Sequence, residues 1–256
     1  MHAEMETNKD QLAVKIYADR DAMGRAAAGD AVDRLRALLK QQEHVWVMFA
    51  AAPSQAEFLE HLTTAADVAW ERVTAFHLDE YVGLPAEQPQ RFGNFLDRHI
   101  FGKVPFRAVH YIDVPGSPQT DVLARYAALL KEHPLDMACI GIGENGHIAF
   151  NDPHVADFSD PECIKVVDLD EQCRRQQVND GCFAQLDDVP AQAYTVTIPT
   201  ILSADYIFCM VPGAAKAKAV ERTVNGPIEP DCPASVLRSH QRSCLYLDAE
   251  AGRLVL

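Results

Sequence analysis

The sequence lacks three features that would each point to a large class of proteins. No stretch of its 256 residues approaches the roughly 20 consecutive apolar residues that a membrane-spanning helix needs. No block or stripe of Lys and Arg is present, and 23 basic against 37 acidic residues give a net charge of −14. The polar N-terminal segment MHAEMETNKD has no apolar core of the kind found in signal peptides. We therefore expect neither a membrane nor a nucleic-acid partner.

Cysteine occurs in a pattern that excludes the usual disulfide and metal motifs. The seven cysteines are scattered and odd in number, and none forms a CxxC pair. Several lie in apolar, strand-like runs, where cysteine behaves as a small hydrophobic residue. No HxxxH motif or Cys/His spacing indicates a metal site. The cytoplasm, a reducing compartment, is therefore the expected location, and no metal is expected.

The chain does contain an alternation of helix-like and strand-like segments. Helical spacing of apolar residues predicts helices at 19–43, 54–62, 89–101, 119–133 and 214–224. Short apolar runs predict strands at 45–50, 71–78, 108–114, 135–143, 163–169, 193–199, 205–213 and 243–248. This alternation predicts a doubly wound α/β fold, a mainly parallel sheet with helices on both faces. The length and the absence of a linker favour a single domain over 1–256, with 1–11 as a loose lead-in.

Two of the predicted strands end in sequence suited to a binding site, since ligands of such sheets sit beyond the carboxyl ends of strands. In FAAAPSQAE, Ser54 and Glu57 have the spacing of a capping box, and a helix N-terminus can hold an anion. In FHLDEYVGL, Asp79 and Glu80 are adjacent and must point to opposite faces. One of these two carboxylates can therefore enter a cleft while the other pairs elsewhere.

Two further strand ends carry titratable groups. GIGENGHIAFNDP has glycines that allow a tight turn near a ligand, and its His147 titrates near neutrality. Asp152 follows five residues later and could orient the imidazole. In VPGAAKAKAV, Lys216 falls in the first turn of a helix, and Arg174 and Arg175 are the other candidate cations. Each feature alone also fits a structural role, such as a cap, an acidic turn or a solvated lysine. Their coincidence at four strand ends favours a site.

FHLDEYVGLP together with GIGENGHIAFNDP resembles the glucosamine-6-phosphate deaminase (isomerase) family, and the resemblance extends from about residue 12 to 247. The related 6-phosphogluconolactonases differ in both blocks. The resemblance implies the doubly wound fold, no cofactor, and conversion of glucosamine 6-phosphate into fructose 6-phosphate and ammonia. It also implies that Asp79 moves a proton between C2 and C1 of the open-chain sugar. His147, supported by Asp152, would assist ring opening.

The sequence departs from the family at three points. The family's aspartate before Gly-His is Asn145, its glutamate is Asp152, and its glycine-rich phosphate loop is AAPS. An amide can hydrogen-bond but cannot take up a proton. The predicted catalytic residues are Asp79, Asn145, His147 and Asp152. The predicted phosphate- and substrate-binding residues are Ala51, Ala52, Ser54, Gln55, Glu80, Gly146, Arg174, Arg175 and Lys216.

These departures leave other functions open. One is a related sugar-phosphate isomerase or lactonase with a different substrate, and another is a non-catalytic sugar-phosphate sensor. A small-molecule sugar phosphate is the expected partner, and a homo-oligomer stays an open expectation. Allosteric family members carry a Ser-Ser pair and basic residues after Asn-Glu-Pro, whereas HVAD and FSDPECIK stand here. We therefore predict hyperbolic kinetics without activation by N-acetylglucosamine 6-phosphate.

Overall fold

The computed structural model describes residues 3–113 and 116–255. The strands are β1 (Met5–Lys9), β2 (Leu12–Tyr17), β3 (Val45–Phe49), β4 (Val73–His77), β5 (Asp79–Tyr81), β6 (Ala108–His110), β7 (Met137–Ile140), β8 (Ile164–Asp168), β9 (Gln192–Val196), β10 (Tyr206–Val211) and β11 (Ser243–Asp248). The helices are α1 (Arg20–Gln41), α2 (Ala56–Thr63), α3 (Phe92–Leu96), α4 (Gln119–Glu132), α5 (Glu171–Asn179), α6 (Ile198–Leu202), α7 (Ala217–Asn225) and α8 (Ala249–Gly252).

Eight of the strands form one mainly parallel sheet in the order β1-β2-β11-β10-β7-β3-β4-β6. Only the first pair, β1 with β2, is antiparallel. Alternate residues of the central strands enter two different apolar clusters, because successive side chains point to opposite faces. Helices α1 and α2 cover one face, and α4 and α7 cover the other. The predicted doubly wound, three-layer α/β fold is therefore confirmed.

A second, smaller sheet is a departure from the prediction. Strands β5, β9 and β8 pair antiparallel, in that order, apart from the main sheet. The predicted strands 163–169 and 193–199 therefore do not extend the parallel sheet. Sequence patterning could not separate the two cases, since apolar runs of this length suit either kind of sheet. The small sheet places Asp79 opposite Thr195.

The N-terminal segment also differs from the prediction. Residues 5–9 are not a loose lead-in but pair with β2 as the edge strand of the main sheet. Residues 1–2 of the predicted lead-in lie outside the described residues, as does position 114 of the predicted strand 108–114. Strand β2 was not predicted at all, although its residues alternate between buried and half-buried positions. Across the described ranges, no helix has the length and apolarity needed to cross a membrane.

Candidate active site

A cleft of about 240 Å³ opens at the carboxyl ends of the parallel strands. The turns after β3, β7 and β10 line it, together with the residues that join β4 to β5. Seven of the predicted site residues lie on this cleft: Ala51, Ala52, Ser54, Gln55, Asp79, His147 and Lys216. The six others lie outside its lining: Glu80, Asn145, Gly146, Asp152, Arg174 and Arg175. All four predicted strand ends therefore meet at one place.

The adjacent carboxylates of β5 have opposite surroundings. Asp79 is 6% exposed and faces the cleft, and its Oδ1 has no hydrogen-bond partner among the described residues. Burial, reinforced by the neighbouring Glu80, raises the pKa of Asp79 well above its ordinary value. Glu80 instead points away and accepts hydrogen bonds from three backbone N–H groups, those of Tyr81, Phe92 and Gly93. Glu80, predicted to bind substrate, thus lies outside the lining of the cleft and anchors the start of α3.

The imidazole of His147 is held by a buried carboxylate. Its Nδ1 lies 2.9 Å from Oδ1 of Asp152, a residue with no exposed surface. The Nδ2 group of Asn145 donates to the same Oδ1 at 2.9 Å, and the Asn145 side-chain oxygen accepts from the His147 backbone N–H at 3.0 Å. Burial would raise the pKa of Asp152, but the neighbouring His147 imidazole, the hydrogen bond from Asn145 and the nearby Cys173 side chain bring it below its ordinary value.

The loop between β7 and the imidazole depends on two glycines for different reasons. A Cβ built on Gly143 would lie 2.1–2.4 Å from three atoms of the His147 ring. Gly146 has a φ of 91°, in the left-handed region that favours glycine, and a Cβ there would lie 2.9 Å from Sγ of Cys232. Gly143 therefore lets the backbone lie against the imidazole. Gly146 supports the loop from behind and does not face the cleft.

A single threonine of β9 ties this loop to the small sheet. The Thr195 hydroxyl accepts from the Phe150 backbone N–H at 3.1 Å and from Nδ2 of Asn151 at 3.3 Å. Asn151 also donates to the backbone oxygens of Ile148 and Val196 at 2.9 Å. Because Thr195 is the register partner of Asp79, the loop and the buried carboxylate share one support.

The opposite end of the cleft carries groups suited to an anion. Lys216 is 7% exposed, and burial lowers its pKa, although Asp180 and Glu144 act in the opposite direction. Ser54 and Gln55 lie in the short 3-10 turn Pro53–Gln55, where the Gln55 Nε2 group donates to the Ser54 hydroxyl and to the Met210 backbone oxygen. The Ser54–Glu57 capping box does not form, since no side-chain cap is present at this turn or at α2.

The two arginines predicted for this end point elsewhere. Arg174 donates to the backbone oxygens of Leu186 and Val189, and the exposed Arg175 pairs with Glu171. The arginine that lines the cleft is Arg20, at the start of α1, which pairs with Glu57 at 2.9 Å and donates to the Pro53 backbone oxygen at 3.1 Å. The prediction of Arg174 or Arg175 at the cleft is therefore corrected to Arg20.

Residues of α5 and the residue after it also line the cleft, although the sequence analysis did not predict them. They are Gln176, Gln177 and Asp180. Gln176 accepts from the Glu144 backbone N–H at 2.9 Å, so it fixes α5 to the histidine loop. Ligand-type atoms of Cys173, His147 and Asp152 lie within 4.8 Å of one another, a donor set that zinc could use. In this structure, Asp152 Oδ1 is already engaged by Asn145 and His147.

Known proteins resemble the chain over most of its length. The sequence profile of the family described as "Glucosamine-6-phosphate isomerases/6-phosphogluconolactonase" matches residues 18–246. A glucosamine-6-phosphate deaminase of Listeria innocua is 36% identical over 208 residues, which cover 80% of this chain and 86% of the relative. A solved monomeric glucosamine-6-phosphate deaminase superimposes with a TM-score of 0.83 at 27% identity, covering 94% of this chain and 99% of its own. A 6-phosphogluconolactonase of Trypanosoma brucei has a TM-score of 0.79 at 16% identity, covering 98% and 100%, and so shares the fold.

Proposed function

Because the chain belongs to the family of glucosamine-6-phosphate isomerases and 6-phosphogluconolactonases, we propose that it converts glucosamine 6-phosphate and water into fructose 6-phosphate and ammonia. The family inferred from the two motif blocks is thereby confirmed. The observation that carries the proposal is the buried carboxylate of Asp79, which shares one cleft with the imidazole of His147. Sequence identity to a deaminase supports the amino sugar over the lactone as substrate.

Asp79 is suited to transfer a proton between neighbouring carbons. In the open-chain aldose it removes the proton from C2, the electrons of that bond form a C1–C2 double bond, and the C1 oxygen takes up a proton to give an enol amine. The same carboxyl then returns its proton to C1, and the nitrogen gives up one proton as the C2 imine forms. A base is most effective when its pKa lies near the working pH, and burial moves the pKa of Asp79 in that direction. The resulting C2 imine takes up water and releases ammonia, which leaves the 2-ketose. No redox step occurs.

His147 is suited to open the sugar ring before this transfer. Its Nδ1 faces Asp152, so Nε2 is the ring nitrogen available to the substrate. The imidazole can take the proton of the C1 hydroxyl on Nε2 and deliver it to the ring oxygen, so it ends the step in the state in which it began. Asn145 cannot accept that proton, so Asp152 is the carboxylate that supports the imidazole through this step.

The phosphate group is proposed to bind at the end of the cleft formed by Ser54, Arg20 and Lys216. Within 3–113 and 116–255 the buried ammonium of Lys216 has no ion-pair partner, and a phosphate would provide one. Arg20 lines the same cleft, where Glu57 and the Pro53 backbone oxygen accept from its Nε and one of its terminal nitrogens. Binding of this remote group supplies free energy that positions C1 and C2.

Purified protein supplied with glucosamine 6-phosphate tests the proposal directly. We expect equal amounts of ammonia and fructose 6-phosphate, and negligible turnover of glucosamine, which has no phosphate.

Lys216→Ala should raise KM about 10-fold to 150-fold, the loss expected for a charge-assisted hydrogen bond. Arg25→Ala is the matched control, since Arg25 pairs with Asp21 on the exposed side of α1. Hydrolysis of 6-phosphogluconolactone without ammonia release would replace the proposal by a lactonase, and phosphate-ligand binding without turnover would replace it by a sensor.

We also propose a cytoplasmic location, supported by the seven free cysteines, four of them buried. Sedimentation of the purified chain decides whether it forms a homo-oligomer.

A further inference from the structure

The two neighbouring glutamines of α5 differ in what their side chains contact. Gln176 and Gln177 both line the cleft, and each is 7% exposed. The Gln176 amide is engaged at both ends, since Oε1 accepts from the Glu144 backbone N–H at 2.9 Å and Nε2 donates to Oδ2 of Asp180 at 3.3 Å. The Gln177 side chain makes no hydrogen bond to any residue within 3–113 and 116–255, although its backbone oxygen accepts from the Cys182 N–H at 3.0 Å. Because the Gln177 amide is not enclosed by protein either, it opens on the cleft with an acceptor and two donors free.

The other polar side chains of the cleft already have a partner or a proposed role. Those with a role in the proposed reaction are Asp79, His147, Arg20, Ser54 and Lys216. Gln55 donates to two acceptors of the protein, and the exposed Asp180 accepts from Gln176. Among the described residues of the lining, Gln177 is therefore the polar side chain that is left to contact the substrate.

Helix α5 lies along the cleft, with its start near the catalytic groups and its end near the proposed phosphate site. At the start, the Sγ of Cys173 lies within 4.8 Å of a ring nitrogen of His147. At the end, Asp180 lines the cleft together with Lys216, and its charge acts on that ammonium. The helix rises about 10 Å between Cys173 and Asp180. Gln177 lies within that span, so it faces the middle of the cleft.

The middle of the substrate is the part that distinguishes one hexosamine phosphate from another. Between the reacting carbons C1 and C2 and the phosphate on C6, glucosamine 6-phosphate carries hydroxyl groups on C3 and C4. A hydroxyl both donates and accepts, as an amide does, so the two groups can form a hydrogen bond in either direction. We propose that Gln177 binds these hydroxyl groups and so determines which hexosamine 6-phosphate the cleft accepts. This inference rests on the proposed function, because it names the part of the same substrate that α5 contacts.

Analogues of glucosamine 6-phosphate that lack the C3 or the C4 hydroxyl test this contact in a double-mutant cycle. In the parent protein, the analogue without the contacted hydroxyl should lose about 2-fold to 13-fold in kcat/KM, the value of one neutral hydrogen bond. Gln177→Leu should lose a similar factor with glucosamine 6-phosphate, mainly through KM, and almost nothing more with that analogue. Losses that multiply independently for both analogues overturn the proposal.

Gln172→Leu is the matched control, because it makes the same exchange at an exposed position of α5 outside the lining of the cleft. It should keep the parental kcat/KM for all three substrates. The ratio of kcat/KM for two substrates within one variant does not depend on the folded fraction of that variant. A partial loss of folded Gln177→Leu therefore cannot imitate a loss of discrimination.

Titration calorimetry with glucose 6-phosphate and its 3-deoxy and 4-deoxy analogues measures the same contact without any turnover. The parent protein should bind glucose 6-phosphate more tightly than at least one of the deoxy analogues, and Gln177→Leu should bind the three alike. An unchanged preference in Gln177→Leu, or a parent protein that binds all three alike or none of them, overturns the inference. If the parent protein releases no ammonia from glucosamine 6-phosphate, the proposed function fails, and this measurement still decides the role of Gln177.

Discussion

Asp79 and Glu80 are chemically alike, yet the structure gives them different tasks. Three backbone N–H groups donate to Glu80, and they oppose without cancelling the burial that raises its pKa. Asp79 faces the cleft with one oxygen that has no partner among the described residues. A buried group without donors is costly to ionise, and such costs are common where a site is prepared for chemistry.

Asp79→Asn should abolish turnover and at the same time raise thermal stability near pH 7. The folded-state pKa of Asp79 lies above the unfolded value, so ionisation costs the folded protein stability as pH rises from the ordinary value through the folded one. The amide removes this cost. We expect Tm to rise by about 2–4 °C, the shift that roughly 1 kcal/mol produces in a domain of this size. Calorimetry at several pH values tests this expectation. The gain in Tm must vanish at pH values below the ordinary pKa of an aspartic acid, where Asp79 is protonated in both the folded and the unfolded protein. Near-normal kcat would contradict the assignment of Asp79 as base.

Gly143 lies so close to the His147 ring that there is no room for a side chain. Alanine at this position would place a methyl group 2.1 Å from Cε1 and 2.2 Å from Nε2 of His147, so the ring must move. A shift of about 1 Å in a reacting group can lower kcat about 100-fold, and overpacking typically costs about 1–3 kcal/mol of stability. Steady-state kinetics and denaturant unfolding of Gly143→Ala measure both effects. Gly29 lies at an exposed site of α1, and a Cβ built there would have no atom of another part of the protein within 4 Å. Gly29→Ala should therefore be neutral or stabilising.

Strand β9 contacts both the loop that carries His147 and strand β5, which carries Asp79. Thr195→Val keeps the side-chain shape but leaves the Phe150 N–H without its acceptor, at a cost of about 1–3 kcal/mol. We expect kcat to fall along with stability, because the loop that carries His147 loses its link to β5. Thr74→Val, at a buried position of β4 away from this loop, is the control and should change stability alone. If both variants keep parental kcat, the link does not position the loop.

The fold and most of the cleft could be predicted from the sequence, because the end of each apolar run marks the carboxyl end of a buried parallel strand. Strand patterns located the turns at Ser54, Asp79, His147 and Lys216, and the structure brings these four together. Arg20 was missed because β2 was missed. Once β2 is recognised as a parallel neighbour of β11, its carboxyl end lies at the same edge, and Arg20 follows it directly.

The phase of α5 explains why Arg174 and Arg175 do not line the cleft. They were predicted from their charge and from the family resemblance. In a helix that begins at Glu171, positions separated by three or four residues share a face, so Cys173, Gln176 and Gln177 turn inward together while Arg175 faces solvent. Without a predicted helix, that phase was not available from the sequence. The proximity of Cys173 to Asp152 and His147 depends on the packing of α5 and has no local sequence signal.

For the whole molecule, the charge distribution argues against a second phosphate site after the Asn-Asp-Pro turn. Lys165 is the basic residue of that stretch, and its Nζ is already bound to Asp160 at 2.7 Å and to the Val155 backbone oxygen at 2.8 Å. A phosphate there would meet like charge in a protein of net charge −14. We therefore expect substrate saturation to be hyperbolic, and N-acetylglucosamine 6-phosphate not to activate. Saturation curves with and without that compound test this, and a Hill coefficient above one that the compound abolishes would contradict it.

The antiparallel pairing of β5 with β9 has a consequence for how the molecule acquires activity. It joins Asp79 to Thr195, residues from opposite halves of the chain, and the main sheet likewise needs β2 to meet β11 from the other end of the sequence. Closing a contact over so long a stretch is slow compared with forming local structure. A newly made or refolding chain therefore reaches native helix content first and becomes competent for proton transfer later. During that interval it is compact but inactive, and ligands of the cleft bind it weakly.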